Sequence, residues 1–462
     1  MLKKWILEVL AVVLVVKFCA LVLSFSAWLV LQNQPADLLS LWNRWDAPHY
    51  VDIAKYGYTA VGEQRFFIVF PPLFPLFIKL FALAIPSYEL AALLVSNLAS
   101  ALASIYLFKL ARLDLSESAA LRSVFYFCIF PTAYFLIAGY SESLFLLLAI
   151  SCIYYARTRR WTLAGIAGML ATATRLTGLA LLPALICEFL QQQQKQCDAN
   201  SDAKTEEGKE KWVAVIAILM TPLGFLAYLM LNFAVFGDAF AFVSMEREHW
   251  FKQFAPPWVG LLVAIHGIFW REPAEVVLVC FAEIFFALFA AACTAYALKF
   301  RISYCIYMLF SLIAFTSTAF WLSIPRYTLS LFPIFIILAS LSERKDAASL
   351  RLKHHFRLIF RFFHHPLHAG SLGFLILLPN FTAVIRVDFP ISNTSYQAEE
   401  TKIKKLPDFV NSPSHFPSVN MKNSLIFQIK SVVECRNIDF EVVCSCKILL
   451  VRTYANIIHT VF

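Results

Sequence analysis

The sequence predicts an all-helical protein, a polytopic bundle of transmembrane helices, and three observations carry that expectation. Of the 462 residues, 60% are hydrophobic and only 15% charged, and the mean hydropathy is +0.69. One soluble core cannot bury that much apolar side chain. The apolar residues gather in runs close to the roughly 20 residues a helix needs to cross a bilayer. The Lys and Arg residues sit in short loops between the runs, where positive charge reports orientation. The net charge of +9 is therefore assigned to topology, and no nucleic-acid partner is expected.

Taken in order, about ten runs read as spans: 5–31, 88–110, 119–138, 142–155, 161–174, 176–190, 212–235, 274–298, 302–322 and 327–341. The first follows M-L-K-K-W and is long for a cleavable leader, so it reads as a retained signal anchor. Stretches 66–85 and 256–270 are expected to be interfacial or re-entrant. In the first of them Pro71, Pro72 and Pro75 withdraw backbone donors from a helix interior. Charge supports that choice. With Lys3 and Lys4 inside, the clusters at Lys109 and Arg112, at Arg157, Arg159 and Arg160, at 195–211, at Lys299 and Arg301, and at Arg344 and Lys345 all fall on the cytoplasmic side. Counting 66–85 as a full span would move the later ones outside. The polar loop 191–211 reads as a linker without chemistry.

Two parts are expected, a multispanning domain over 1–341 and an atypical tail over 342–462. The tail opens on R-L-K-H-H-F-R-L-I-F-R-F-F-H-H-P-L-H, basic and amphipathic, which suits an anionic membrane surface better than a metal site at His354, His355, His364, His365 and His368. Stretch 372–384 is a marginal further span. Asn380 and Asn393 lie in glycosylation sequons, a weak signal alone. Of eleven cysteines, those in the apolar runs read as small hydrophobes, and Cys435, Cys444 and Cys446 lack zinc-finger spacing.

In so apolar a chain, L-W-N-R-W-D-A-P-H-Y-V-D-I-A-K-Y-G-Y (41–58) gathers Arg44, Asp46, His49, Asp52 and Lys55. The charge-derived topology puts this first outer loop, with its interfacial helices, on the non-cytoplasmic side. Glu142, Arg175, Asp238, Glu246, Arg247, Glu248 and Arg326 fall on the same face. Ionisable groups at membrane depth are functional candidates by default. Structural readings stand beside that one: Asp46 and Glu142 as helix caps, His49 as a hydrogen-bonding residue, Arg175 and Arg326 in stabilising pairs, Asp52 with Lys55 as a solvated pair, Asp238 in a turn. A carboxylate with several arginines at a bundle rim suits sugar transfer from a lipid phosphate, where the acceptor hydroxyl needs a base and the departing phosphate needs positive charge. No G-x-G-x-x-G, Walker A or D-x-D motif occurs. No cofactor is expected and a metal is optional.

The segments R-W-D-A-P-H-Y-V-D-I-A-K-Y-G-Y, F-P-P-L-F-P-L, F-P-T-A-Y-F-L-I-A-G-Y-S-E-S-L-F, T-R-L-T-G and P-R-Y-T-L-S-L-F-P, in this order, resemble the GPI mannosyltransferase 2 (PIG-V) family and its bacterial relatives, within the GT-C class of polytopic glycosyltransferases. The resemblance runs over about 41–341, and the tail departs from it. It implies an inverting transfer of mannose from a dolichyl- or polyprenyl-phosphate mannose to a lipid-linked glycan on the lumenal or extracytoplasmic face. The acceptor would be a GPI-anchor precursor in the endoplasmic reticulum of a eukaryote, and the site would be the plasma membrane of a bacterium. Asp46 matches the acidic residue of the first outer loop, the catalytic base by resemblance. Arg175 and Arg326 are assigned to the donor phosphate. Arg44, His49 and Glu142 complete the substrate-binding candidates. The resemblance leaves room for a small membrane partner subunit. The rival class is a transporter or flippase, since proline-broken segments also mark substrate pathways. Against it stand the missing inverted repeat and the gathering of polar sites at one face.

Overall fold

The computed structural model describes residues 3–30, 39–198, 204–271, 276–343, 371–378 and 381–388. The basic stretch with its five histidines, both sequon asparagines, the tail cysteines, and Arg344 with Lys345 lie outside the described residues. Two compact units separate, and the described residues up to 343 belong to the first and those of 371–388 to the second.

In the first unit the regular elements among the described residues are helices, joined by turns and loops, with an isolated bridge between Phe254 and Thr318. The helices are α1 (Lys4–Val30), α2 (Ala47–Tyr56), α3 (Leu73–Ala82), α4 (Tyr88–Ala111), α5 (Glu117–Cys128), α6 (Glu142–Arg157), α7 (Trp161–Thr174) and α8 (Leu181–Asp198). They continue as α9 (Lys204–Met220), α10 (Leu223–Phe236), α11 (Ala241–His249), α12 (Pro257–Trp270), α13 (Ala282–Ala297), α14 (Ile302–Thr316), α15 (Ile324–Leu329) and α16 (Pro333–Glu343). Local chemistry sets several boundaries. Ser87 and Ser116 accept the amides of Leu90 and Ala119 and so start α4 and α5. Gly237, in the left-handed region at φ 73°, closes α10.

Among the described residues, four helical stretches are long and apolar enough to cross a membrane: Lys4–Ser26, Tyr88–Ala111, Lys211–Phe236 and Val279–Ala297. The expected runs are cut more often than their hydropathy suggests, and proline is the usual cause. Run 119–138 stops at Cys128, ahead of Pro131, and run 327–341 restarts at Pro333. Run 176–190 opens as a 3-10 turn over Leu176–Ala180. The proline-rich stretch forms a 3-10 segment, Glu63–Val69, bent by 113° against α3, the geometry of a broken span or re-entrant loop.

Small residues bring α4 against α6: Ala92, Ser96, Ala99, Ser100 and Ala103 are all buried. Helix α6 also sets the polarity of the bundle. Its N-terminus carries Glu142. At its C-terminus, about 24 Å away at 1.5 Å per residue, Arg157 pairs with Asp114 at 2.5 Å. Gln192 of α8 donates to the Ala156 carbonyl at 2.9 Å, and α8 Glu188 binds Arg301 at 2.5 Å. These ion pairs lie at the end opposite Glu142.

In the second unit, Ser371–Leu378 (β1) and Phe381–Asp388 (β2) pair antiparallel, with Ser371 opposite Asp388 and Leu378 opposite Phe381. Stretch 372–384, expected as a marginal span, is thus two strands.

Candidate active site

The site is built on one tyrosine. Ser96 of α4 donates to the Tyr140 carbonyl at 3.0 Å and accepts the Tyr140 amide at 3.2 Å. The Tyr140 hydroxyl then donates to the Arg44 carbonyl at 2.6 Å and accepts the Asp46 amide at 3.2 Å. The loop between them turns through Trp45 in the left-handed region, at φ 55°, a conformation that costs a non-glycine residue on the order of 1–3 kcal/mol. Tyr140 therefore holds a strained turn, and the turn aims the Asp46 carboxylate. Asp46 sits at the N-terminus of α2 without making a side-chain cap.

That carboxylate meets Arg326 of α15, whose Nη1 donates to Asp46 Oδ2 at 2.6 Å. The same guanidinium donates through Nε to Glu142 Oε1. Arg175, at the end of α7, reaches Glu142 Oε1 at 2.8 Å and donates to the Ser141 hydroxyl at 3.1 Å. Glu142 is the first residue of α6 and its carboxylate lies between two guanidiniums. Arg326 is packed over the rings of Phe135 and Tyr140, 4.7 Å from each centroid. Such desolvated cation–π contacts are worth about 2 kcal/mol. Exposure separates the two acids: Glu142 is 0% exposed and Asp46 24%, so Asp46 is the one open to a substrate.

Lys252, in the loop after α11, completes the charge pattern and carries no motif that sequence reading could have flagged. Its ammonium donates to the Tyr327 hydroxyl at 3.2 Å and lies 5.4 Å from that ring's centroid. Arg175 lies 5.7 Å from the centroid of the same ring. Burial works against the charge of Lys252, but Tyr327, Glu246 and Asp46 outweigh it and raise its pKa. Burial raises the pKa of Glu246, against the pull of Lys252. For Asp46, burial opposes ionisation, yet the charge and hydrogen bond of Arg326, with His49 and Lys252, hold its pKa below the usual carboxylate value. Two carboxylates are thus met by two arginines, and Lys252 adds a cation beside them.

The remaining candidates fall around this centre. Arg44 contributes its carbonyl to the Tyr140 clamp. His49 packs on Phe67 and Phe70, at 4.4 and 5.7 Å between centroids, and burial lowers its pKa. Lys55 pairs with Glu89 of α4 at 2.8 Å, in place of the expected partner Asp52. Asp238 accepts the Phe240 amide at 2.9 Å, as a turn residue does. Glu248 pairs with Arg65 at 2.9 Å. Among the described residues, no three His, Cys, Asp or Glu side chains gather as a metal site would require.

A family model described as Mannosyltransferase (PIG-V) matches residues 13–321. The chain is 35% identical over 156 residues to GPI alpha-1,6-mannosyltransferase 2 of Mus musculus, a match covering 32% of each protein. To the Cricetulus griseus enzyme of the same name it is 35% identical over 150 residues, 31% of this chain and 30% of the relative. The matched stretch is thus about a third of these relatives' length. Among solved structures, it is similar to ArnT from Cupriavidus metallidurans bound to undecaprenyl phosphate, with TM-score 0.47 and 14% identity over 76% of this chain and 63% of that one. It is also similar to the archaeal oligosaccharyltransferase AglB from Archaeoglobus fulgidus in complex with an inhibitory peptide and a dolichol-phosphate, with TM-score 0.41 and 14% identity over 78% and 52% of the two chains.

Proposed function

Because the chain belongs to the PIG-V mannosyltransferase family, we propose that it transfers mannose from a dolichyl- or polyprenyl-phosphate mannose to a lipid-linked glycan, a GPI-anchor precursor in a eukaryotic setting, at the lumenal or extracytoplasmic face. The observation that carries this reading is the Asp46 carboxylate at the open edge of a cluster of cations, 2.6 Å from Arg326.

In this reaction Asp46 accepts the proton of the acceptor hydroxyl as that oxygen attacks the anomeric carbon of mannose. The bond from that carbon to the phosphate oxygen breaks, with inversion, and its electron pair leaves on the lipid phosphate. Base catalysis of this kind contributes about 10²–10⁴-fold. Fixed positive charge at the departing oxygen contributes a comparable factor in other sites. Here the phosphate is met by Lys252, two of whose ammonium hydrogens lie beyond its bond to Tyr327, and by the guanidinium edges of Arg326 and Arg175. Glu142, wholly buried, sets the spacing of those arginines. Its place inside the cluster favours this role over direct contact with sugar. Arg44 and His49 line the approach on the α2 side.

The test is a purified assay. The protein is incubated with radiolabelled mannose, glucose or aminoarabinose carried on polyprenyl phosphate, and with glucosaminyl-phosphatidylinositol mannosides or bacterial glycolipids as acceptors. Transfer confined to the mannose donor supports the reading, and no transfer from any lipid-phosphate sugar removes it.

A further inference from the structure

Glu283 lies in the first turn of α13, 4% exposed, inside the stretch Val279–Ala297 that is apolar enough to span a membrane. A carboxylate at that depth is costly unless fully hydrogen-bonded. Its partners are backbone: Oε1 accepts the Ser323 amide at 2.7 Å and Oε2 the Ile324 amide at 2.7 Å. Those two amides open α15, the helix of Arg326 and Tyr327. Ser323 makes no side-chain cap and sits in the left-handed region, φ 73° and ψ 19°. Helix α15 has six residues, too few to hold itself, and Pro325 brings no amide of its own. A strained entry to a short helix is therefore clamped in trans.

The clamped turn carries Arg326 and adjoins the segment of Lys252. Arg326 follows Ile324 by two positions, and the Thr132 hydroxyl donates to the Pro325 carbonyl between them at 3.1 Å. Upstream, the Ala319 amide donates to the Gln253 carbonyl at 2.9 Å and the Ala255 amide to the Ser317 carbonyl at 3.3 Å. Lys252 immediately precedes Gln253. Trp321 presses on Gly260 of α12, where a Cβ would collide with its indole.

We propose that Glu283 is a positioning residue for the transferase site: its carboxylate fixes the Ser323–Ile324 turn so that Arg326 is presented to Asp46 and Glu142. The proposal rests on reading that site as the mannosyltransferase centre. Glu283→Gln is the decisive variant, since it keeps the shape while replacing one acceptor oxygen by an amide nitrogen that faces a backbone N–H. The expected result is a kcat about ten- to a hundredfold lower, with the acceptor KM unchanged and partial recovery in Glu283→Asp.

In an Arg326→Ala background, followed in long incubations, Glu283→Gln should cost less than about twofold, because the group it positions is gone. Losses that multiply in the double variant, or a Glu283→Gln protein with wild-type kcat, overturn the proposal. Hydrogen exchange decides it independently of activity. The amides of 318–329 should be protected in the wild-type protein and exchange quickly in Glu283→Gln, and rapid exchange in the wild type overturns the clamp. A wild-type protein that is protected there yet transfers no mannose would instead remove the reading of the site.

Discussion

Replacing Asp46 by Asn exchanges one carboxylate oxygen for an amide NH2 and separates chemistry from architecture. The amide oxygen still accepts from Arg326 Nη1, and Arg326 keeps its bond to Glu142. Arg326 therefore keeps a carboxylate partner in Glu142 and a hydrogen bond to position 46, and what is lost is the charge assistance of that one bond, on the order of 1 kcal/mol. The midpoint of thermal unfolding should therefore move by about 2–4 °C at most. The base, by contrast, is gone, and base catalysis of about 10²–10⁴-fold corresponds to about 2.7–5.4 kcal/mol in the barrier. The assay is initial-rate transfer from polyprenyl-phosphate mannose by protein in lipid nanodiscs, with unfolding followed on the same preparation.

The pH profile gives a second reading. The folded pKa of Asp46 lies below its unfolded value, so its contribution is complete above the ordinary aspartate value of about 3.9. That contribution is lost as pH falls through the lower native value. Wild-type transfer should hold through neutral pH down to that range, and the residual activity of Asp46→Asn should lack this acid limb. A variant within threefold of wild-type kcat, or one with the same acid limb, refutes Asp46 as the base.

Lys252→Ala should raise the donor KM about ten- to a hundredfold, the weight of a charge-assisted hydrogen bond to phosphate, while leaving the acceptor KM alone; an unmoved donor KM discards Lys252 as a phosphate ligand. Glu142→Gln leaves two buried guanidiniums without their shared counter-charge, so it should cost about 3–5 kcal/mol of stability and unfold well before Asp46→Asn in the same thermal scan. The reverse order would show that the cluster is held elsewhere. Gly224→Ala places a Cβ against the Met169 carbonyl, 2.6 Å from Thr172 Oγ1 and 2.7 Å from the Ala173 amide nitrogen, forcing α10 from α7. Overpacking of this kind costs about 1–3 kcal/mol, and unchanged thermal stability would contradict so close a crossing.

Several features were legible in the residues. The proline run 71–75 announced a bend, since proline withdraws donors wherever it stands, and the chain turns there by 113°. Hydropathy found the first run and 88–110 nearly to the residue, as α1 and α4. It overstated other runs, because apolar character continues through Pro131 and Pro333 while the hydrogen-bond ladder does not. In the site, Asp46, Glu142, Arg175 and Arg326 stood out as ionisable groups among apolar ones. Lys252 looked like any loop lysine, and Glu283 lay inside the apolar run 274–298 with no motif around it.

Composition, run length and loop charge determined that this chain is a helical membrane protein with a group of acids and arginines gathered on its outer side, because those properties are set residue by residue. Which acid meets which arginine was decided only by tertiary structure. Arg326 reaches Asp46 across 280 positions, Tyr140 aims the loop between Arg44 and Asp46, and Glu283 clamps a turn 40 residues away. Such partnerships depend on where packed helices end in space, and no local pattern of residues encodes that.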